Sequence, residues 1–191
     1  IEGHISFIDA LFTATSAICV TGLIVQDIGR SFSGFGQTVI LILIQLGGIG
    51  IMTFYALLTI VLNRKISHNE TSEYQETLLT DSGTHTFAII KYIVGLTIIL
   101  ESIGVMVLFF LWKDSFHEPL TAFLYAIFHS ISAFCNAGFS LFSNSLAGYA
   151  DHTGVLLTIS TLIILGGIGF PVIFNIMTQN FRHFQWRRLR I

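Results

Sequence analysis

The chain has 191 residues, of which 53% are hydrophobic and 10% charged, against about 25% charged in an ordinary soluble domain. That balance excludes a water-soluble globular domain and places the chain in a bilayer. The formal net charge of -2 excludes little, because in a membrane protein the position of each charge relative to the apolar runs carries the information.

In chain order, the first apolar stretch is Ile5 to Ile18. At 14 residues it is too short to cross a hydrocarbon core, which takes about 20 residues of helix, and it reads as re-entrant or interfacial. A glycine-containing segment follows, then an apolar run from Phe35 to Leu62 that is long enough to span. Asn63 to Thr86 is hydrophilic and carries Arg64 and Lys65 at the helix end. A second span is expected over Phe87 to Trp112, a second short run over Leu120 to Phe134, and a third span over Gly154 to Met177. The chain closes on Arg182, Arg187, Arg188 and Arg190.

The basic residues set the expected topology. Those before and after the spans place Asn63–Thr86 and the C-terminal tail on the cytoplasmic side by the positive-inside rule. Only Arg30 and Lys113 of the nine basic residues fall in the outer segments, near Asp27, Asp114, Glu118 and Asp151. Each short run must then leave and return on the same face. Ile1 is not a methionine and no basic stretch precedes an apolar run, so no signal peptide is visible and the chain is expected to be a fragment.

Internal repetition sharpens the reading. Phe7–Gly22 aligns without a gap on Phe123–Gly138, pairing Phe7 with Phe123, Ala10 with Ala126, Phe12 with Phe128, Ser16 with Ser132, Ala17 with Ala133, Cys19 with Cys135 and Gly22 with Gly138. Leu46-Gly47-Gly48-Ile49-Gly50 recurs as Leu165-Gly166-Gly167-Ile168-Gly169, inside the following long helix each time. The expected fold is therefore all-α, with a unit of short helix, glycine turn and long helix used twice. The expected boundaries are 1–62 for a first repeat lacking its first helix, 63–86 for a cytoplasmic linker, 87–181 for the second repeat and 182–191 for a basic tail or the start of another linker.

Irregular backbone at membrane depth is tolerated only where it is buried in protein or lines water. Cys19-Val20-Thr21-Gly22-Leu23 and Cys135-Asn136-Ala137-Gly138-Phe139 are the expected segments of that kind. Their carbonyls need a partner, and a dehydrated cation is a good one. Glycine reaches the backbone angles that aim successive carbonyls at one axis, and the C-terminal end of the short helix adds partial negative charge.

These strings, with Thr13–Leu23, Ile44–Gly50 and Ser132–Ser140 in full, resemble the first two pore loops and intervening helix of the Trk/Ktr/HKT potassium transporters. The chain is most similar to the N-terminal half of the membrane subunit of a bacterial Ktr system. The resemblance implies tandem helix–pore loop–helix repeats like those of potassium-channel subunits. It implies Gly22 and Gly138 as filter glycines, and the backbone of Cys19, Val20, Thr21, Gly22, Cys135, Asn136, Ala137 and Gly138 as the ion-lining path. It further implies potassium and sodium as ions, a homodimer of membrane subunits, a cytosolic nucleotide-binding regulatory ring and a plasma-membrane location. Four repeats surround the pore in that family and this chain has two, so it supplies half of a filter.

Other motifs weigh less. Gly47, Gly48, Gly50, Gly166, Gly167 and Gly169 are expected to allow close helix approach, with a hinge as the second reading. Cys19 and Cys135 match no zinc spacing, no phosphate-binding loop occurs, and neither an organic cofactor nor a nucleic-acid partner is expected. Glu101 lies mid-span, where a bare charge costs at least about 2.5 kcal/mol, so it is expected to face protein or water with a partner, or to stay protonated, with structural pairing ahead of ion coordination. Asp9 is expected to anchor the first short helix. His129 and Ser132 lie three apart on the second short helix and give the alternative of an intramembrane hydrolase; a non-conducting membrane scaffold is the other alternative.

Overall fold

The computed structural model describes the backbone of residues 5–66 and 84–168, and side chains within those ranges except at 51–66 and 84–90. The regular structure of the described residues is six α-helices and one 3-10 turn, with no strand among them. The helices are α1 (Phe7–Ile18), α2 (Ile28–Ser31), α3 (Gly34–Ile66), α4 (Thr84–Trp112), α5 (Pro119–Phe134) and α6 (Thr153–Ile168), and the 3-10 turn covers Ala147–Tyr149.

Local chemistry sets the helix starts. Ser6 caps α1, its Oγ accepting from the Asp9 N–H at 3.1 Å, and Asp9 itself lies in the first turn where the helix dipole favours an acid. Asp27 caps α2 through the Arg30 N–H at 3.2 Å. At the start of α3 the Ser33 Oγ accepts from the Gly36 N–H at 3.3 Å. Pro119 opens α5 at a position where a missing N–H costs nothing.

Lys91–Trp112 is, among the described residues, the one helix long and apolar enough to cross a membrane by itself, with 22 residues and a mean hydropathy of 2.4. At 1.5 Å per residue that is about 33 Å, matched to a hydrocarbon core of about 30 Å. Gly34–Gly50 and Thr153–Ile168 are the described apolar parts of the other two expected spans. The remainder of Gly154–Met177, most of the 63–86 linker, the tail at 182–191 and Gly169 lie outside the described residues.

The buried face of α4 is a stripe of Ile93, Thr97, Glu101, Gly104, Leu108 and Trp112 at helical spacing. It packs on α5 and α6, sharing a core with Ala126, Ala133, Phe134, Val155, Ile159 and Leu162. Gly104 marks the close crossing, since a Cβ there would fall on the Ser130 hydroxyl and 2.8 Å from Leu162 Cδ1. Its opposite face shows Ile98, Ile99, Ile103, Met106 and Phe110 to the outside, as expected where lipid or further protein replaces water.

A second core joins the two units. Ala17, Ile28, Ile40 and Ile44 from the first pack with Phe128, Cys135, Ala137, Phe139 and Leu141 from the second. The end of α1 and the second unit's turn therefore share one core with α3. Neither α2 nor the 3-10 turn was expected from sequence: four residues capped by Asp27, and three at a loop corner, carry no periodicity to read.

Candidate functional site

The two glycine turns have the same backbone. α1 ends at Cys19 with φ -82° and ψ 0°, and α5 at Cys135 with φ -72° and ψ -4°. The next residues, Val20 and Asn136, are left-handed at φ 54° and 57°, and Gly22 and Gly138 are positive again at 78° and 73°. In each turn the sixth residue bonds back to the first and the fifth to the second. Thr21 N–H reaches Ser16 O at 2.9 Å and Val20 N–H reaches Ala17 O at 3.1 Å; Ala137 N–H reaches Ser132 O at 2.8 Å and Asn136 N–H reaches Ala133 O at 3.0 Å. Both helices thus end in Schellman motifs.

That bonding decides what the turns can hold. Alternating right- and left-handed residues can form an anion-binding concavity of N–H groups, but here the N–H groups of Cys19, Val20, Thr21, Cys135, Asn136 and Ala137 are consumed by helix-end carbonyls. No hydrogen bond among the described residues ends on the carbonyls of Cys19 to Gly22 or of Cys135 to Gly138. At Cys19–Thr21 and Cys135–Ala137 the groups left over are carbonyl acceptors, while the Gly22 and Gly138 N–H groups make no hydrogen bond among the described residues. Neither short helix carries a basic residue in its last turn, so the partial negative charge at each C-terminus is not offset locally.

The turns lie side by side. A Cβ built on Gly138 would sit 3.7 Å from the Gly22 Cα, and one built on Gly22 would sit 2.6 Å from the Ala137 carbonyl oxygen and 3.5 Å from the Gly138 Cα. The side chains around the second turn brace it. Ser132 Oγ donates to the Phe139 carbonyl at 2.7 Å. With its oxygen toward Gly167, the Asn136 amide donates to the Ile163 carbonyl at 3.2 Å and accepts from the Gly167 N–H at 3.3 Å, bridging one rung of α6.

His129 is held at both ring nitrogens. Its Nδ1 lies 2.8 Å from the Tyr125 carbonyl, which can only accept, so Nδ1 carries a proton, and its Nε2 lies 3.0 Å from Ser140 Oγ. Ser140 Oγ in turn accepts from the Phe142 N–H at 3.0 Å, and Trp112 packs edge-on to the His129 ring at 5.2 Å. His129 therefore bonds Ser140 while Ser132 bonds Phe139. The two do not form the dyad an intramembrane hydrolase would use, and Ser140 was not singled out from sequence.

The glycine strings on the long helices face the same turns. A Cβ on Gly47 would fall on the Ile18 carbonyl oxygen and 2.8 Å from its carbon; one on Gly166 would fall on the Phe134 carbonyl oxygen and 2.9 Å from its carbon. Ile18 and Phe134 are the last residues of the two short helices. Each long helix thus seats the end of the short helix of its own unit. Gly48 abuts Cys135 of the other unit, whereas among the described residues Gly50 has nothing within 4 Å. Among the described residues no group of three His, Cys, Asp or Glu side chains could hold a metal ion. Cys135 is buried and Cys19 exposed, both as free thiols.

The family model for TrkH, a cation transport protein, matches residues 2–187. The Ktr system potassium uptake protein B of Bacillus subtilis is 43% identical over 173 residues, covering 91% of this chain and 39% of that protein. Its namesake in Vibrio alginolyticus is 39% identical over 184 residues, covering 96% and 39%, and the potassium/sodium uptake protein NtpJ of Enterococcus hirae is 35% identical over 174 residues, covering 91% and 38%. The chain spans about two fifths of the length of these relatives, which are uptake transporters and not enzymes. Matching turns, the seating glycines and a family match over nearly the whole chain converge: it belongs to the TrkH family of helical membrane cation transport proteins.

Proposed function

We propose that this chain supplies two ion-lining turns of a transporter that takes up potassium through a carbonyl-lined selectivity filter. The observation that carries the reading is that the N–H groups of Cys19–Thr21 and Cys135–Ala137 are bonded to helix-end carbonyls, while the carbonyls of Cys19–Gly22 and Cys135–Gly138 accept no hydrogen bond among the described residues. A cation shedding water can use such carbonyls in place of its hydration shell; an anion cannot. Potassium as the ion, with sodium accompanying or influencing it, is supported by what the relatives are called. The whole transporter in this proposal is a homodimer of membrane subunits in the plasma membrane. Its basic loops face the cytoplasm, where a nucleotide-binding ring regulates it. Two further repeats beyond those described complete each filter.

The test is Gly138→Ser in the whole transporter. Serine at φ 73° is strained by about 1–2 kcal/mol, and relief of that strain turns the carbonyls away from the path. Potassium uptake is expected to lose affinity, and potassium preference over sodium is expected to fall. Unchanged affinity together with unchanged preference overturns the filter reading.

A further inference from the structure

Glu101 is 6% exposed in the middle of the α4 span, and two elements, α3 of the first unit and α5 with its C-cap of the second, converge on it and on the thiol beside it. Gln45 Nε2, on α3 of the first unit, donates to Glu101 Oε2 at 3.2 Å. Cys135 Sγ, where α5 gives way to the second turn, donates to Glu101 Oε1 at 3.9 Å. Ser130 Oγ, on α5, donates to the Glu101 backbone carbonyl at 2.8 Å. On the far side, Gly48 lies one helical turn from Gln45, and a Cβ there would overlap the Cys135 thiol and sit 2.8 Å from its Cβ. Cys135 is thereby held between the carboxylate and the α3 backbone.

Each carboxylate oxygen takes a donor from a different unit. Both donors come from side chains. An intramembrane carboxylate is expensive unless partnered, and here its partners are the first unit's long helix and the residue that opens the second turn. The counterpart of Cys135 in the first unit, Cys19, is exposed and has no such restraint among the described residues.

We propose that Glu101 is a positioning residue for ion selection, fixing the Cys135–Gly138 turn against the first unit through Gln45 and Cys135. The proposal rests on the filter reading above. Glu101 touches no ion in it; it sets the place of the Cys135 carbonyl and so the size of the opening shared with the first turn.

The test is the Michaelis constant for potassium and for sodium, measured on the whole transporter in proteoliposomes. Glu101→Ala is expected to lower the sodium-to-potassium ratio of these constants on the order of tenfold, the size of one lost hydrogen bond that leaves a buried donor unpaired. Glu101→Gln is expected to stay within about twofold, because its amide oxygen still accepts one of the two donors. Gln45→Met releases the clamp from the other unit with Glu101 in place. It should lower the ratio in the same direction, and it keeps the test open if Glu101→Ala does not fold. Native ratios in both Glu101→Ala and Gln45→Met overturn the proposal, as does a Glu101→Gln variant no better than Glu101→Ala, which would assign the effect to charge. If Gly138→Ser still alters the preference in that event, only the clamp has failed; if it does not, the filter reading has failed as well.

Discussion

Gly22→Ala is expected to damage ion selection more than Gly138→Ala, although the two glycines occupy matching places. Both residues have positive φ, 78° and 73°, so alanine costs each about 1–2 kcal/mol of backbone strain. They differ in what the new methyl meets. At Gly22 it lies 2.6 Å from the Ala137 carbonyl oxygen, a distance that backbone must move to relieve, and that carbonyl belongs to the proposed ion path. At Gly138 the nearest atom is the Gly22 Cα at 3.7 Å, an ordinary contact. One substitution in the first turn thus displaces the second turn as well. Competition between potassium and sodium for uptake reads the difference, with the preference expected to fall on the order of tenfold further in Gly22→Ala, about 1.4 kcal/mol. Equal losses, or a larger loss at Gly138, would show that the two turns do not share one opening in this arrangement.

The second large effect is expected on the long helices. Gly47→Ala and Gly166→Ala each drive a methyl into the carbonyl that ends a short helix, at Ile18 and Phe134. Overpacking against side chains costs about 1–3 kcal/mol, and here the obstacle is backbone at the foot of each turn, so losses at or above the top of that range are expected. Gly50→Ala is the internal control. It lies in the same string with nothing within 4 Å among the described residues, and alanine there gains up to about 1 kcal/mol of helix propensity. Thermal stability of the purified transporter in detergent separates the two readings of these glycines. Losses at Gly47 and Gly166 with none at Gly50 fit seats for the short helices, while comparable loss of uptake at Gly50 with stability intact would favour a hinge.

Much of this organisation is legible in the sequence, for a specific reason. The strings around Cys19 and Cys135 repeat without a gap because both must end a short helix in the same Schellman turn, and Asn136 and the glycines are residue types that tolerate left-handed backbone. Val20 is not. A β-branched residue at φ 54° is an outlier for its type, so the shared geometry of Val20 and Asn136 could not be read from either residue. The longer second loop was also illegible in detail: 25 positions separate Gly22 from Gly47 and 28 separate Gly138 from Gly166, and the 3-10 turn at Ala147–Tyr149 lies in the longer connection.

Glu101 shows the limit from the other side. Its need for a partner follows from its depth in an apolar span, and its place on a stripe with Thr97, Gly104, Leu108 and Trp112 follows from helical spacing. Its partners do not. Gln45 is 56 positions away in sequence, and nothing local to either residue announces the pairing. His129 is similar: its spacing to Ser132 suggests a dyad, while folding of the loop brings Ser140 to its ring instead.

The most direct measurement is anomalous diffraction from crystals of the whole transporter grown with thallium, a heavy surrogate for potassium. The account predicts bound ions between the two turns, within coordination distance of main-chain carbonyls from both Cys19–Gly22 and Cys135–Gly138. Ions bound only to side chains such as Glu101, with none between Gly22 and Gly138, would contradict it.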